Sequence, residues 1–310
     1  MRPDSDDARF VGPLRARLAD AGLSGSFLVR DLTTGQEIGI DPDVVFPIAS
    51  LVKVPLALAV LDRIHAGRLD GSALIDLPPG RSDAVDEVGL SRFRHPARVA
   101  VDDLLYLALA ISDNAAADAL FVLVPPAEVT AVLREAGISG VTVRHPMREF
   151  ADRSPADRLG PDNAHLAHTL AIGARTAGLG HELAQLDVTR TNVGSARALV
   201  DLLEALWNHG GSPSAIPAEI AERVRTLMRG NVLRQRLGPD FAADASTWSS
   251  KTGTLLNLRH EIGVVEHEDG GLLAVAALTE SSVPASAQPA AEALMGRVAR
   301  ALHDRLLSDG

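Results

Sequence analysis

Apolar residues recur at a helical period near the start of the chain, at Phe10, Val11, Leu14 and Leu18, and predict a helix over residues 8–20. The pattern then becomes that of strands. Ser26 to Arg30 and Gln36 to Ile40 flank the turn sequence Asp31-Leu32-Thr33-Thr34-Gly35, so the two are expected to pair as a hairpin. A long apolar helix is predicted from Ser50 to Ala66 and ends at Gly67, with Pro55 early enough that its missing N–H is harmless. Helical periods dominate the middle of the chain, over 101–110, 115–124, 127–136, 165–178 and 194–208. Among them, Arg144 to Asn163 holds three prolines and many charges and reads as a long loop, of the kind that often carries function. Past Pro213 a helix is predicted at 218–229, strands at 247–253, 260–267 and 272–279, and a closing amphipathic helix at 290–307. Glu268-Asp269-Gly270-Gly271 is the turn signal between the last two strands.

Strands therefore stand at both ends of the chain with helices between, an α/β (α+β) arrangement. The economical architecture joins residues 1–46 and 209–310 into one antiparallel sheet covered by the first and last helices. Residues 47–208 are then expected to form an all-helical lobe, with an active site between the two.

Composition narrows the chemistry. The chain has 310 residues, 46% of them hydrophobic, which is ample for a packed core. A net charge of −10 with no basic cluster argues against nucleic acid as a partner. Cysteine is absent, which removes disulfides, thiol nucleophiles and cysteine-ligated metals. His165 and His168 are a close histidine pair on a predicted helix, read as structural, so no metal or other cofactor is expected. The start, Met1-Arg2-Pro3-Asp4, lacks the basic and apolar parts of a secretory signal. The apolar run Val54 to Leu61 is too short to span a bilayer. The expectation is a protein off the membrane, cytoplasmic or, if the chain has been trimmed, secreted; the oligomeric state is left open, with a monomer favoured.

Lysine is scarce: only Lys53 and Lys251 occur among thirty Lys and Arg side chains. Arginine keeps its proton at any ordinary pH, whereas a desolvated lysine can release it and serve as a base. Ser50 precedes Lys53 by one helical turn, on the same face, and the apolar run beyond Lys53 desolvates the amine. Such a base is what a serine hydroxyl needs to become a nucleophile. Ser112-Asp113-Asn114 lies at the junction of two predicted helices, where these residue types also suit an ordinary cap. Lys251-Thr252-Gly253-Thr254 lies on a late strand, where the glycine admits close approach of a ligand.

Serine-x-x-lysine, Ser-Asp-Asn and Lys-Thr-Gly in that order are the signature of class A β-lactamases and penicillin-binding proteins. The chain resembles class A β-lactamases over nearly its whole length, including Phe46 to Lys53, Val101 to Leu105 and Met228 to Asn231. The resemblance implies a β-lactamase/transpeptidase-like fold and a small-molecule substrate, a β-lactam or a related amide or ester. Ser50 would be the acylated nucleophile, Lys53 its base, and Ser112 a proton relay to the leaving nitrogen. Asn114 would hold the substrate's amide, and Lys251 would stand beside its carboxylate with Thr252 and Thr254 as hydrogen-bond donors. The N–H groups of Ser50 and Thr254 would form the oxyanion hole. Arg259 would pair with the substrate carboxylate, as a planar fork does well.

The resemblance breaks in the 144–163 loop. Aligning Arg144 with the arginine before the family's deacylating glutamate puts Pro146 at the glutamate position. Glu149 comes three residues late, and Arg153 stands where a partner asparagine is expected. Either Glu149, or one of Asp152, Asp157 and Asp162, reaches the site through a rebuilt loop, or the acyl-enzyme turns over slowly. Tyr106 is the only tyrosine and lies inside a predicted helix, which suits a packing role. Three functions stay open: a β-lactamase-type hydrolase, an esterase or acyl-transfer enzyme, and a non-catalytic sensor of β-lactam-like ligands.

Overall fold

A computed structural model describes residues 5–80, 88–148, 164–173, 180–181, 183–207, 215–243, 245–283 and 287–308. Its first elements are α1 (Ser5–Asp20), β1 (Leu23–Asp31), β2 (Glu37–Ile40), β3 (Val45–Pro47), a 3-10 turn (Ala49–Val52) and α2 (Lys53–His65). There follow β4 (Leu74–Leu77), β5 (Ala97–Ala100), α3 (Val101–Ala110), α4 (Asn114–Leu123), α5 (Pro126–Glu135) and α6 (Ala164–Ile172). The chain continues through β6 (Val193–Ser195), α7 (Ala196–Trp207), α8 (Ala218–Arg229) and the short α9 (Gly238–Phe241). It closes with β7 (Ser246–Leu255), β8 (Leu258–His267), β9 (Leu272–Ser281) and α10 (Pro289–Ser308).

Strands from both ends form one five-stranded antiparallel sheet, ordered β2-β1-β9-β8-β7. The joint between the two ends is β1 against β9, in register from Leu23↔Ser281 to Asp31↔Leu273. Alternation sends successive side chains to opposite faces. Phe27, Val29, Val275 and Ala277 pack with Leu14 and Leu18 of α1 and Met295 and Leu302 of α10. Leu28, Ala274, Ala276 and Leu278 instead join the cluster of the internal helices. Within that cluster α2 is buried from Lys53 through Leu61, which is why it is apolar on all sides.

Three departures from the sequence reading have physical causes. Helix α8, expected on the sheet side, lends Ile220, Val224, Leu227 and Met228 to the internal-helix cluster, and it packs on α2, α3 and β7 together. The pair β4–β5 was not legible because its residues alternate only between exposed and half-buried, leaving no buried apolar face. Gly194 and Ser195, read as the start of a helix, belong to the strand Val193–Ser195, which pairs with Val45–Pro47 just ahead of Ser50. Among the described residues no single helix is long and apolar enough to cross a membrane.

Candidate active site

The segment that presents Ser50 is set by its backbone. Ala49 has φ +48°, a left-handed conformation unfavourable for a residue with a Cβ. The chain then winds into the 3-10 turn, where the N–H of Lys53 donates to the carbonyls of Ser50 and Leu51. Ser50 thus sits half-buried one turn before a fully buried Lys53.

Ser112 is the meeting point of the three motifs. Lys53 Nζ donates to the Ser112 carbonyl at 2.6 Å, the Ser112 Oγ at 3.2 Å and Asn114 Oδ1 at 2.7 Å. Lys251 Nζ, from β7, donates to the same Ser112 Oγ at 2.9 Å and to the Thr252 carbonyl at 3.0 Å. A hydroxyl that accepts from two amines keeps its own proton for a third partner. Ser112 also has φ +63°, a strained conformation of the kind held in place by surrounding contacts.

The capping and catalytic readings of Ser112-Asp113-Asn114 divide between its residues. Asp113 does the capping: its carboxylate accepts the N–H groups of Ala115 and Ala116 at the start of α4 and that of Leu90 at 2.6 Å. That frees Ser112 and Asn114 to turn toward the lysines.

Gly253 has a different role from the one its sequence suggests. A Cβ there would stand 3.0 Å from the Ile48 carbonyl oxygen and 3.1 Å from Leu51 Cγ. The glycine therefore lets β7 close on the turn that carries Ser50. Thr252 is buried beside it, and Thr254 is exposed.

Arg259 is not placed as expected. Its guanidinium is buried, donates to the carbonyls of Leu256 at 2.6 Å and Leu258 at 2.8 Å, and lies 3.6 Å from Glu292. The guanidinium that meets the Lys-Thr-Gly strand is Arg236, which donates to the Thr254 hydroxyl at 2.6 Å and to the carbonyls of Gly253 and His260. It sits in a charged but apolar-looking sequence stretch, Val232-Leu233-Arg234-Gln235-Arg236, with no pattern to single it out. Glu149, Asp152, Asp157 and Asp162 lie outside the described residues. The entrance to their loop is held by Asn192, whose Oδ1 accepts the N–H groups of Arg144 and His145 and whose Nδ2 donates to the His145 carbonyl.

Burial tunes the titratable groups. Desolvation, helped by the charges of Lys53 and Arg236, pushes Lys251 well below the usual lysine range. His260 is pushed down to about 3 by burial, and as a neutral ring it bridges the Pro47 carbonyl and the Thr279 N–H. Burial raises Glu261, which accepts from Trp248 Nε1 at 3.0 Å and the Leu237 N–H at 2.8 Å. Burial likewise raises Asp118 on α4. Asp118 is a polar residue inside the apolar run Ala115 to Phe121, and that anomaly was its signal in the sequence; His260 and Glu261 directly follow Arg259 and carry no such signal. Among the described residues no cluster of three or more His, Asp or Glu is placed to hold a metal.

Comparison with known proteins gives the fold and the family. The chain is 61% identical over 300 residues to the "Beta-lactamase regulatory protein BlaB" of Streptomyces cacaoi, covering 94% of this chain and 96% of that one. A β-lactamase from Chitinophaga pinensis superposes with a TM-score of 0.74 at 20% identity, over 96% of this chain and 99% of its own. A PBP-A variant solved as an acyl-enzyme with penicillin G superposes with a TM-score of 0.71 at 18% identity, over 97% of each chain. The fold is thus that of β-lactamases and penicillin-binding proteins. With residues 13–306 matching its sequence profile, the chain belongs to the Beta-lactamase enzyme family.

Proposed function

We propose that the protein is a serine acyl-enzyme former that reacts with β-lactams and releases the acyl group slowly. The observation that carries this reading is the convergence of Lys53 and Lys251 on the Ser112 hydroxyl. Ser50 Oγ attacks the carbonyl carbon and its proton passes to the neutral amine of Lys53. The oxyanion is held by the N–H groups of Ser50 and Thr254, and Asn114 holds the substrate's amide. As the C–N bond breaks, Ser112 passes its proton to the nitrogen and is reprotonated from the lysines. Lys251, with the Thr252 and Thr254 hydroxyls and Arg236 behind them, faces the substrate carboxylate. Slow release is supported by Pro146 at the position where the resemblance puts a deacylating glutamate.

A regulatory role is the second reading, favoured by the name of the Streptomyces cacaoi relative, a β-lactamase regulatory protein. The two readings meet if a long-lived adduct is itself the signal. Intact-mass spectra over time after mixing with a penicillin test both. A persistent adduct of the whole ligand, absent in Ser50→Ala, is the expected result. No adduct on the parent protein rejects the enzymatic reading and leaves non-covalent sensing. Rapid loss of the adduct, with hydrolysed penicillin appearing, rejects slow release. Faster turnover of simple acetyl esters than of a chromogenic cephalosporin would instead mark an esterase.

A further inference from the structure

His303 lies in the last turns of α10, buried, with its ring edge-on to Phe241 at 5.5 Å. Its Nδ1 is 2.9 Å from Asp304 Oδ1, and a carboxylate only accepts, so Nδ1 carries the hydrogen. The neutral ring then has a bare Nε2. That nitrogen is 3.0 Å from Nε2 of His267, the last residue of β8, whose Nε2–H must therefore donate to it. The facing nitrogens can share one hydrogen but not two. His267, half-buried, can take a further proton on its Nδ1 and keep the bond, whereas His303 has only Nε2 left to receive one.

We propose that His267 and His303 form an acid-sensitive latch, fastening the last turns of α10 to the end of β8 while His303 Nε2 is bare and releasing them when it takes a proton. Two imidazolium N–H groups then oppose each other with no acceptor between them. Burial opposes a charge on His303, Asp304 favours one, and Arg300, which donates to Asp304 at 2.7 Å, opposes it together with His267. Asp240 of α9 gives its carbonyl to Arg300, Asp7 of α1 meets Arg305 at 3.8 Å, and Glu268 and Asp269 follow His267 in an exposed turn. Arg30, Glu37 and Glu266 lie on the far face of the sheet, bonded to α7, and Glu280 of β9 accepts from Ser24 near the other end of its strand. The balance holds His303 below the ordinary histidine range. Folding therefore disfavours a proton that the unfolded chain accepts below about pH 6.5, and the closed latch loses stability as pH falls past that value.

Amide hydrogen exchange of the full chain, followed from about pH 7.5 to about pH 5, tests the latch. Protection of the α10 amides from Arg300 to Leu307 is expected to fall by about tenfold or more, at one decade per pH unit for the one proton concerned. Imidazole nitrogen NMR is expected to show His303 as the Nδ1–H tautomer, uncharged for as long as that protection lasts. His267→Gln is the decisive variant, because its amide can donate to a bare Nε2 or turn its oxygen to a protonated one. Its loss of protection is expected to be smaller than the parent's by about threefold or more. A loss as steep in the variant as in the parent overturns the proposal. So does a His303 that takes its proton while α10 stays protected, or one that carries its hydrogen on Nε2. If His267→Gln does not fold, the parent's spectra decide.

Discussion

Ser112 Oγ draws two amines into a small buried space, and the two lysines answer to different demands. Lys53 needs to lose and regain a proton, whereas Lys251 needs to be positive when a carboxylate is present. Burial, Lys53 and Arg236 all work against that positive charge, and an arriving carboxylate offsets them. The same displacement bears on stability. Below the ordinary lysine range the unfolded chain binds a proton that the folded site disfavours, so stability rises with pH as that range is approached. Lys251→Met is therefore expected to stabilise the fold at neutral pH by about 1–3 kcal/mol, since replacing a buried charge by an apolar group of similar volume is often stabilising. The gain should shrink as pH rises, and acylation of Ser50 should be lost. Denaturant midpoints across pH, with mass spectra of the adduct, check both; a variant less stable than the parent at neutral pH would contradict the account.

The site at the scale of elements is a junction of a strand and a strained turn. The strand β7 lies against the 3-10 turn because Gly253 has no Cβ, with the Ile48 carbonyl and Leu51 filling the space. Gly253→Ala is expected to cost about 1–3 kcal/mol by overpacking and to lower the acylation rate more than it weakens ligand binding. A thermal melt and a rate measured as a function of ligand concentration separate the two effects. Much of this scale was legible beforehand. The Glu268–Gly271 turn, the strands around it and the terminal helices follow from alternation and turn chemistry, and Gly270 does take a positive φ of +92°. The turn between β7 and β8 was not legible, because it bends through Leu256 at φ +47° instead of a glycine. Ser50, Lys53, Ser112, Asn114 and Lys251 could be picked out because their motifs are short and local. Arg236 could not, since its role comes from which backbone groups the fold lays over it.

The whole molecule has two apolar clusters on opposite faces of one sheet, each containing one of the two tryptophans. Trp248 stacks on Phe241 at 5.1 Å in the cluster beneath α1 and α10, and Trp207 is buried among the internal helices. Because α8 packs on α2, α3 and β7 at once, the two sides are expected to unfold as a unit. Trp207→Phe and Trp248→Phe variants, each with one remaining fluorophore, should report the same displacement from the parent's midpoint by fluorescence as by circular dichroism. Distinct midpoints for the two probes within one variant would show that the sides unfold separately. The pairing of β1 with β9 also has a consequence for biosynthesis. Ser50 leaves the ribosome long before Lys251, and the sheet that brings them together stays incomplete until Ser281 has been translated. A nascent chain therefore exposes its serine without the second amine until β7, β8 and β9 have all been translated.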